Sequence, residues 1–150
     1  MDHIAILRKA RISKGDNLLK DILEGKKTIE SRWYVNKISP WDNIHKDDAV
    51  YFKESGNPVT ARAKVAKVLQ FEKLNTDTIK SILENYGSAI SPNTSPEQWF
   101  SWAADQTKKR FCILVFLKDI EKVHPFNIDK TGYGNSSAWL AVGSIDKVRI

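Results

Sequence analysis

Gly25-Lys26-Lys27-Thr28-Ile29-Glu30-Ser31-Arg32 is the stretch on which the reading of this chain turns. Before it, Leu18, Leu19, Ile22 and Leu23 recur at helical spacing, with Asp16 as a suitable N-cap and Gly25 where a C-terminal cap belongs. After it, Thr28 to Tyr34 alternates as a strand does. Ile29, Ser31 and Trp33 fall on one face, and Thr28, Glu30, Arg32 and Tyr34 on the other. Glu30 and Arg32 therefore share a face, about 7 Å apart along the strand, with Lys27 at its entry. A cation, a carboxylate and a second cation beside Trp33 and Tyr34 suit a phosphate-bearing, flat-ringed ligand. Nucleic acid or a nucleotide is the first ligand class to test.

The surrounding pattern is mostly strand. His3 to Arg8 is apolar and strand-like, Ala49 to Phe52 follows a polar loop containing Pro40 and Trp41, and Val59 to Phe71 is a long strand. Ala61, Ala63 and Val65 keep one phase and Val68 breaks it, which predicts a bulge near Ala66 or Lys67. Phe111 to Leu117 is the most hydrophobic segment and reads as a central strand covered on both sides. Ala138 to Val142 is apolar, and Ile145 to Ile150 is expected to be a last strand. Helices are expected over Asp77 to Tyr86 and after Ser95-Pro96-Glu97-Gln98, where Ser95 caps, Pro96 opens and Gln98 completes a capping box. The expected fold class is α+β: a small, mostly antiparallel β-barrel with peripheral helices, residues 1–150 forming one domain.

Composition narrows the function classes. The formal net charge of +6 favours polyanionic partners. Arg8, Lys9, Arg11 and Lys14 form one basic cluster, and Lys108, Lys109 and Arg110 another. No apolar run approaches the roughly 20 residues that span a bilayer, so no membrane partner is expected. Met1-Asp2-His3-Ile4 lacks the layout of a signal peptide. Cys112 is the only cysteine and lies in the most apolar run, where a buried, inert thiol is expected. These features read as a cytoplasmic protein. His3, His45 and His124 are far apart in sequence and no Cys/His pair has ligand spacing, so no metal site is expected. No Gly-rich phosphate loop is present, and no cofactor is implied.

The run from Gly25 to Arg32 matches the Gly-x-Lys-x-x-Glu-x-Arg signature, and in this the chain resembles the ASCH domain family of the PUA-like superfamily. Lys130-Thr131-Gly132-Tyr133-Gly134-Asn135-Ser136-Ser137-Ala138-Trp139 is similar to a segment of some ASCH-like proteins. The resemblance implies a PUA-like pseudo-barrel and an RNA-related function in a cleft beside the motif. It also implies two enzymatic alternatives, a ribonuclease and an amidohydrolase acting on acetylated cytidine. In the amidohydrolase pattern the lysine matching Lys27 works with a threonine three positions later, and Glu30 stands there in this chain.

Three readings follow. The first is an RNA- or nucleotide-binding domain, with Lys27, Glu30, Arg32, Trp33 and Tyr133 as ligand-binding residues. Arg32 can grip a phosphate with two parallel hydrogen bonds, and Lys27 supplies a compact charge. Glu30 either accepts hydrogen bonds from a base edge or locks the two cations in place. The second is a metal-independent hydrolase in the same cleft, with Lys27 and Glu30 catalytic and Glu30 the general base. The third is a protein-interaction adaptor whose charged motif only holds the fold. Trp33, Tyr34 and Trp41 adjoin the motif or a loop and are candidates for stacking, as is Tyr133 between two glycines. Trp99, Trp102 and Trp139 are expected in the core.

Overall fold

The computed structural model describes residues 1–8, 17–134 and 136–150. Among these residues six strands form one sheet: β1 (Asp2–Leu7), β2 (Ile29–Tyr34), β3 (Ala49–Glu54), β4 (Val59–Phe71), β5 (Phe111–Phe126) and β6 (Trp139–Gly143). Their spatial order is β2-β5-β4-β3-β1-β6. Only β1 and β3 run parallel, and every other neighbouring pair is antiparallel. The sheet curls into a half-barrel with three helices, so the α+β, barrel-like reading holds. Among the described residues the sheet does not close, and β2 and β6 are its two edges.

β5 explains the most apolar run. It lies between β2 and β4, and its alternate residues enter two different cores. Ile113, Val115 and Leu117 pack with Ala5, Phe52 and Val65 beneath α1 (Leu18–Leu23). Cys112 and Leu114 pack with Ile79, Leu83 and Ala103 of α2 (Thr76–Ile90) and α3 (Pro96–Ala104). A strand buried on both faces has no polar face to alternate with. Burial also pushes the Cys112 thiol far up, away from thiolate chemistry. A third core joins Ile4, Ile6, Leu140 and Val142 to Ile145 and Val148.

The register of β4 on β5 shifts between Val65 and Lys67, where the broken phase predicts a bulge. Ser95 and Gln98 cap α3 as expected. α2 starts earlier, capped by Asn75, and runs to Ile90. Asn17 caps α1, and Asp16 lies outside the described residues. The expected last strand is not one. Ile145–Lys147 is a 3₁₀ helix, followed by an isolated bridge of Arg149 with Ile128 whose hydrogen bonds run from the Asp129 amide to the Val148 carbonyl and from the Ile150 amide to the Asn127 carbonyl. Ile145 and Val148, both buried, lie three apart, the period of a 3₁₀ turn rather than of a strand.

α3 seats on α2 at Gly87. A Cβ placed there would lie 2.9 Å from three atoms of the Trp99 ring. Gly87→Ala is therefore expected to destabilise the protein by about 1–3 kcal/mol through overpacking. Trp99→Phe in the same background should recover part of that loss in urea unfolding. Additive losses would show that the two residues do not share this contact.

Candidate functional site

The segment entering β2 is clamped from both sides. The amides of Lys26 and Lys27 donate to the Asp21 carbonyl of α1, and the Thr28 amide donates to the Ala89 carbonyl near the end of α2. Gly25, at φ +74°, makes the left-handed turn that brings the chain out of α1. Lys27 consequently points inward and is only 2 % exposed. Its ammonium donates to the carbonyls of Ile29 at 2.8 Å and Ile90 at 2.6 Å.

Glu30 sits between the two cations and is 5 % exposed. Oε2 lies 3.9 Å from Lys27 Nζ, and Oε1 lies 3.6 Å from Arg32 Nε. Among the described residues Oε2 has no hydrogen-bond partner. Arg32 reaches across the open side of the half-barrel. Nη1 donates to the Ala138 carbonyl at 3.2 Å and Nη2 to the Ile6 carbonyl at 3.4 Å, while the guanidinium lies 5.2 Å from the centre of the Trp139 ring. The structure thus joins Lys27, Glu30 and Arg32 into one line of alternating charge. The two cations point much of their hydrogen bonding at backbone carbonyls, which is not the phosphate grip read from their charge alone.

A cleft of about 1010 Å³ opens beside this line, at the upper end of the range of roughly 300–1,000 Å³ usual for ligand sites. It runs along the free edge of β2, so side chains from both strand faces line it: Glu30 and Arg32 from one, Ser31 and Trp33 from the other. Trp33, paired with Cys112 in unbroken register, reaches the cleft from the strand face opposite Glu30. Its ring meets Trp102 edge-on at 5.1 Å. Trp99 and Trp102, expected in the core, are half-buried and form a wall of the cleft while their inner sides pack on the α2/α3 core. Trp139 is buried, as expected. Trp41 stands outside, edge-on to Phe111 with Lys37 over both rings. Tyr34 lines the cleft, and burial lifts its phenol above the ordinary value, keeping it neutral.

Tyr133 also lines the cleft, half-buried against the third core. Gly132 and Gly134 flank it at φ +92° and +85°, which sets the turn. Within the turn the Tyr133 amide donates to the Lys130 carbonyl, and the Ser137 hydroxyl donates to the Tyr133 carbonyl. Four cations, Arg8, Lys27, Arg32 and Lys109, line the cleft against two carboxylates, Glu30 and Asp105. Arg8 and Lys109 thus bring one member of each basic cluster to the cleft, whereas Lys9, Arg11 and Lys14 lie outside the described residues. Among the described residues no cluster of His, Cys, Asp and Glu can hold a metal ion, and no helix is long and apolar enough to cross a membrane.

His3 supports the cleft from behind, with no signal in the sequence linking it to Trp139. It is fully buried; its Nδ1 accepts from the Trp139 indole at 3.1 Å, and Nε2 meets Asp48 Oδ2 at 3.0 Å. An indole only donates, so the imidazole is neutral with its proton on Nε2, directed at Asp48. Burial lowers the His3 pKa below its ordinary 6.5, against the pull of Asp48.

No family model and no curated protein matches the chain by sequence. Solved structures do match. The ASCH protein from Zymomonas mobilis superposes with a TM-score of 0.64 at 16% identity, covering 94% of this chain and 87% of that one. A tyrosine-to-phenylalanine variant of the same protein gives 0.64 at 14% identity, with 94% and 89% covered. The N-terminal domain of McrB from Staphylothermus marinus gives 0.54 at 10% identity, with 94% and 87% covered. The chain therefore has the fold of the ASCH domain.

The buried histidine makes a pH prediction. The unfolded chain takes up a proton on His3 near pH 6.5, and the folded chain takes it up only at lower pH. Below that point the unfolded state binds more protons, so stability is complete above about pH 6.5 and is lost as pH falls through the folded value. The thermal midpoint should drop between about pH 7 and pH 5, and His3→Gln, less stable throughout, should flatten that slope. A slope unchanged in the variant would assign the effect to other groups.

Proposed function

We propose that the cleft beside β2 binds single-stranded RNA or a nucleotide-like piece of it. The observation that carries this reading is a buried carboxylate held between two cations on the floor of a cleft walled by Trp33, Trp99 and Trp102. Base stacking on such rings contributes about 1–3 kcal/mol each and tolerates any base. The excess of cationic lining draws a polyanion, and Arg8 and Lys109 are the cations we assign to phosphate. Likeness in fold to the ASCH protein from Zymomonas mobilis is consistent with the reading. The adaptor reading uses the ion pairs but has no use for the cleft beside them.

Binding of a short single-stranded RNA should weaken steeply with salt, because each neutralised phosphate releases counterions. Lys109→Ala should lower affinity for all sequences alike and reduce the logarithmic salt slope by about 0.7. An absence of binding even at low salt would end this reading.

Glu30 Oε2, without a hydrogen-bond partner among the described residues, supports a second reading as a general base on water or a ribose hydroxyl. RNA and acetylated cytidine are the substrates to incubate with the protein. If either is turned over, Glu30→Gln should slow the reaction by about 10²–10⁴-fold. If neither yields product, the hydrolase reading is dropped for those substrates.

A further inference from the structure

We propose that the cleft reads its ligand base through N–H donors presented to Glu30, and so selects guanine above the other bases. This rests on the reading of the cleft as an RNA or nucleotide site. Glu30 presents the buried acceptor on the floor of the cleft that is short of a hydrogen bond: Oε2 has no hydrogen-bond partner among the described residues. A buried acceptor left unmatched is costly, and a ligand donor removes that cost. The cations beside it direct their donors elsewhere: Arg32 Nε, likewise without a hydrogen-bond partner among the described residues, lies 3.6 Å from Glu30 Oε1. Arg32 directs both terminal nitrogens at the carbonyls of Ile6 and Ala138, and Lys27 directs its ammonium at those of Ile29 and Ile90. To an incoming base the floor therefore presents an acceptor.

An ionised carboxylate only accepts. Guanine carries two adjacent donors on its pairing edge, the ring N1–H and the exocyclic amine, and these match one carboxylate. Adenine and cytosine each set one amine beside a ring-nitrogen acceptor, which faces the carboxylate unfavourably. Uracil sets its single N–H between two carbonyl oxygens and fits worst. The held geometry of Glu30, braced by Lys27 and Arg32, makes the preference one of fixed positions rather than of adaptable contact.

The test uses the wild-type protein and five pentamers of uridine whose central base is guanine, hypoxanthine, adenine, cytosine or uracil, titrated at one low salt concentration. The expected order places guanine about ten- to a hundredfold tighter than uracil, with adenine and cytosine between. Hypoxanthine, which lacks only the exocyclic amine of guanine, should lose a large part of that advantage. Glu30→Gln, checked for folding by its unfolding transition, should lose the guanine preference and favour adenine and cytosine, whose donor–acceptor edges match an amide. Equal binding of all five pentamers would overturn the base-edge proposal and leave the RNA reading standing. Binding of none would overturn both.

Discussion

A half-barrel has two free edges, and in this protein one side chain ties them together. Arg32, on the edge strand β2, donates to the carbonyls of Ile6 on β1 and of Ala138, the residue before β6. The rest of the charged motif braces that arginine. Glu30 lies 3.6 Å from its Nε, Lys27 lies 3.9 Å from Glu30, and Lys27 is anchored on Ile90 at the end of α2. Buried charges are tolerated only when each is met by opposite charge or by hydrogen bonds, and removing one member exposes its neighbours to that penalty. The line from α2 through Lys27, Glu30 and Arg32 to β1 and β6 is thus a single mechanical element. It explains why a glycine, a lysine, a glutamate and an arginine are needed at their particular spacing: a turn out of α1, an inward ammonium, and two alternating strand positions on one face.

The same seam creates the cleft. Where β2 lacks a strand partner among the described residues, its outer edge faces the cleft, and residues from both its faces line it. The helices α2 and α3 then wall the far side with Trp99 and Trp102. Behind the near side, His3 fixes the indole of Trp139, against which the Arg32 guanidinium stacks. A neutral, buried histidine is therefore part of the support for a cationic group 29 positions away in the chain.

Most of the strands were legible because alternation and apolar runs are local signals. β2 and its charged face, the Val65–Lys67 irregularity and the α3 cap all follow from neighbouring residues. The failures are of a different kind. Trp99 and Trp102 lie on one helix face, which periodicity assigns to the core, but an indole is too large to be enclosed on all sides by a nine-residue helix against α2, and its outer edge forms the cleft wall. The roles of Lys27 and Arg32 were read from charge, whereas carbonyls brought in from α2, β1 and β6 decide what they bond. Trp41, close to the motif in sequence, is turned onto Phe111. The His3–Trp139 contact spans 136 positions and leaves no trace in local pattern.

The nucleic-acid site we propose is the seam beside β2. The five tryptophan indole N–H signals in a ¹H–¹⁵N spectrum report on it directly, because Trp33, Trp99 and Trp102 wall the cleft while Trp41 stands outside it. On titration with a short single-stranded RNA the account predicts that the signals of Trp33, Trp99 and Trp102 shift together while that of Trp41 stays in place. RNA binding that shifts Trp41 and leaves those three unmoved would contradict it.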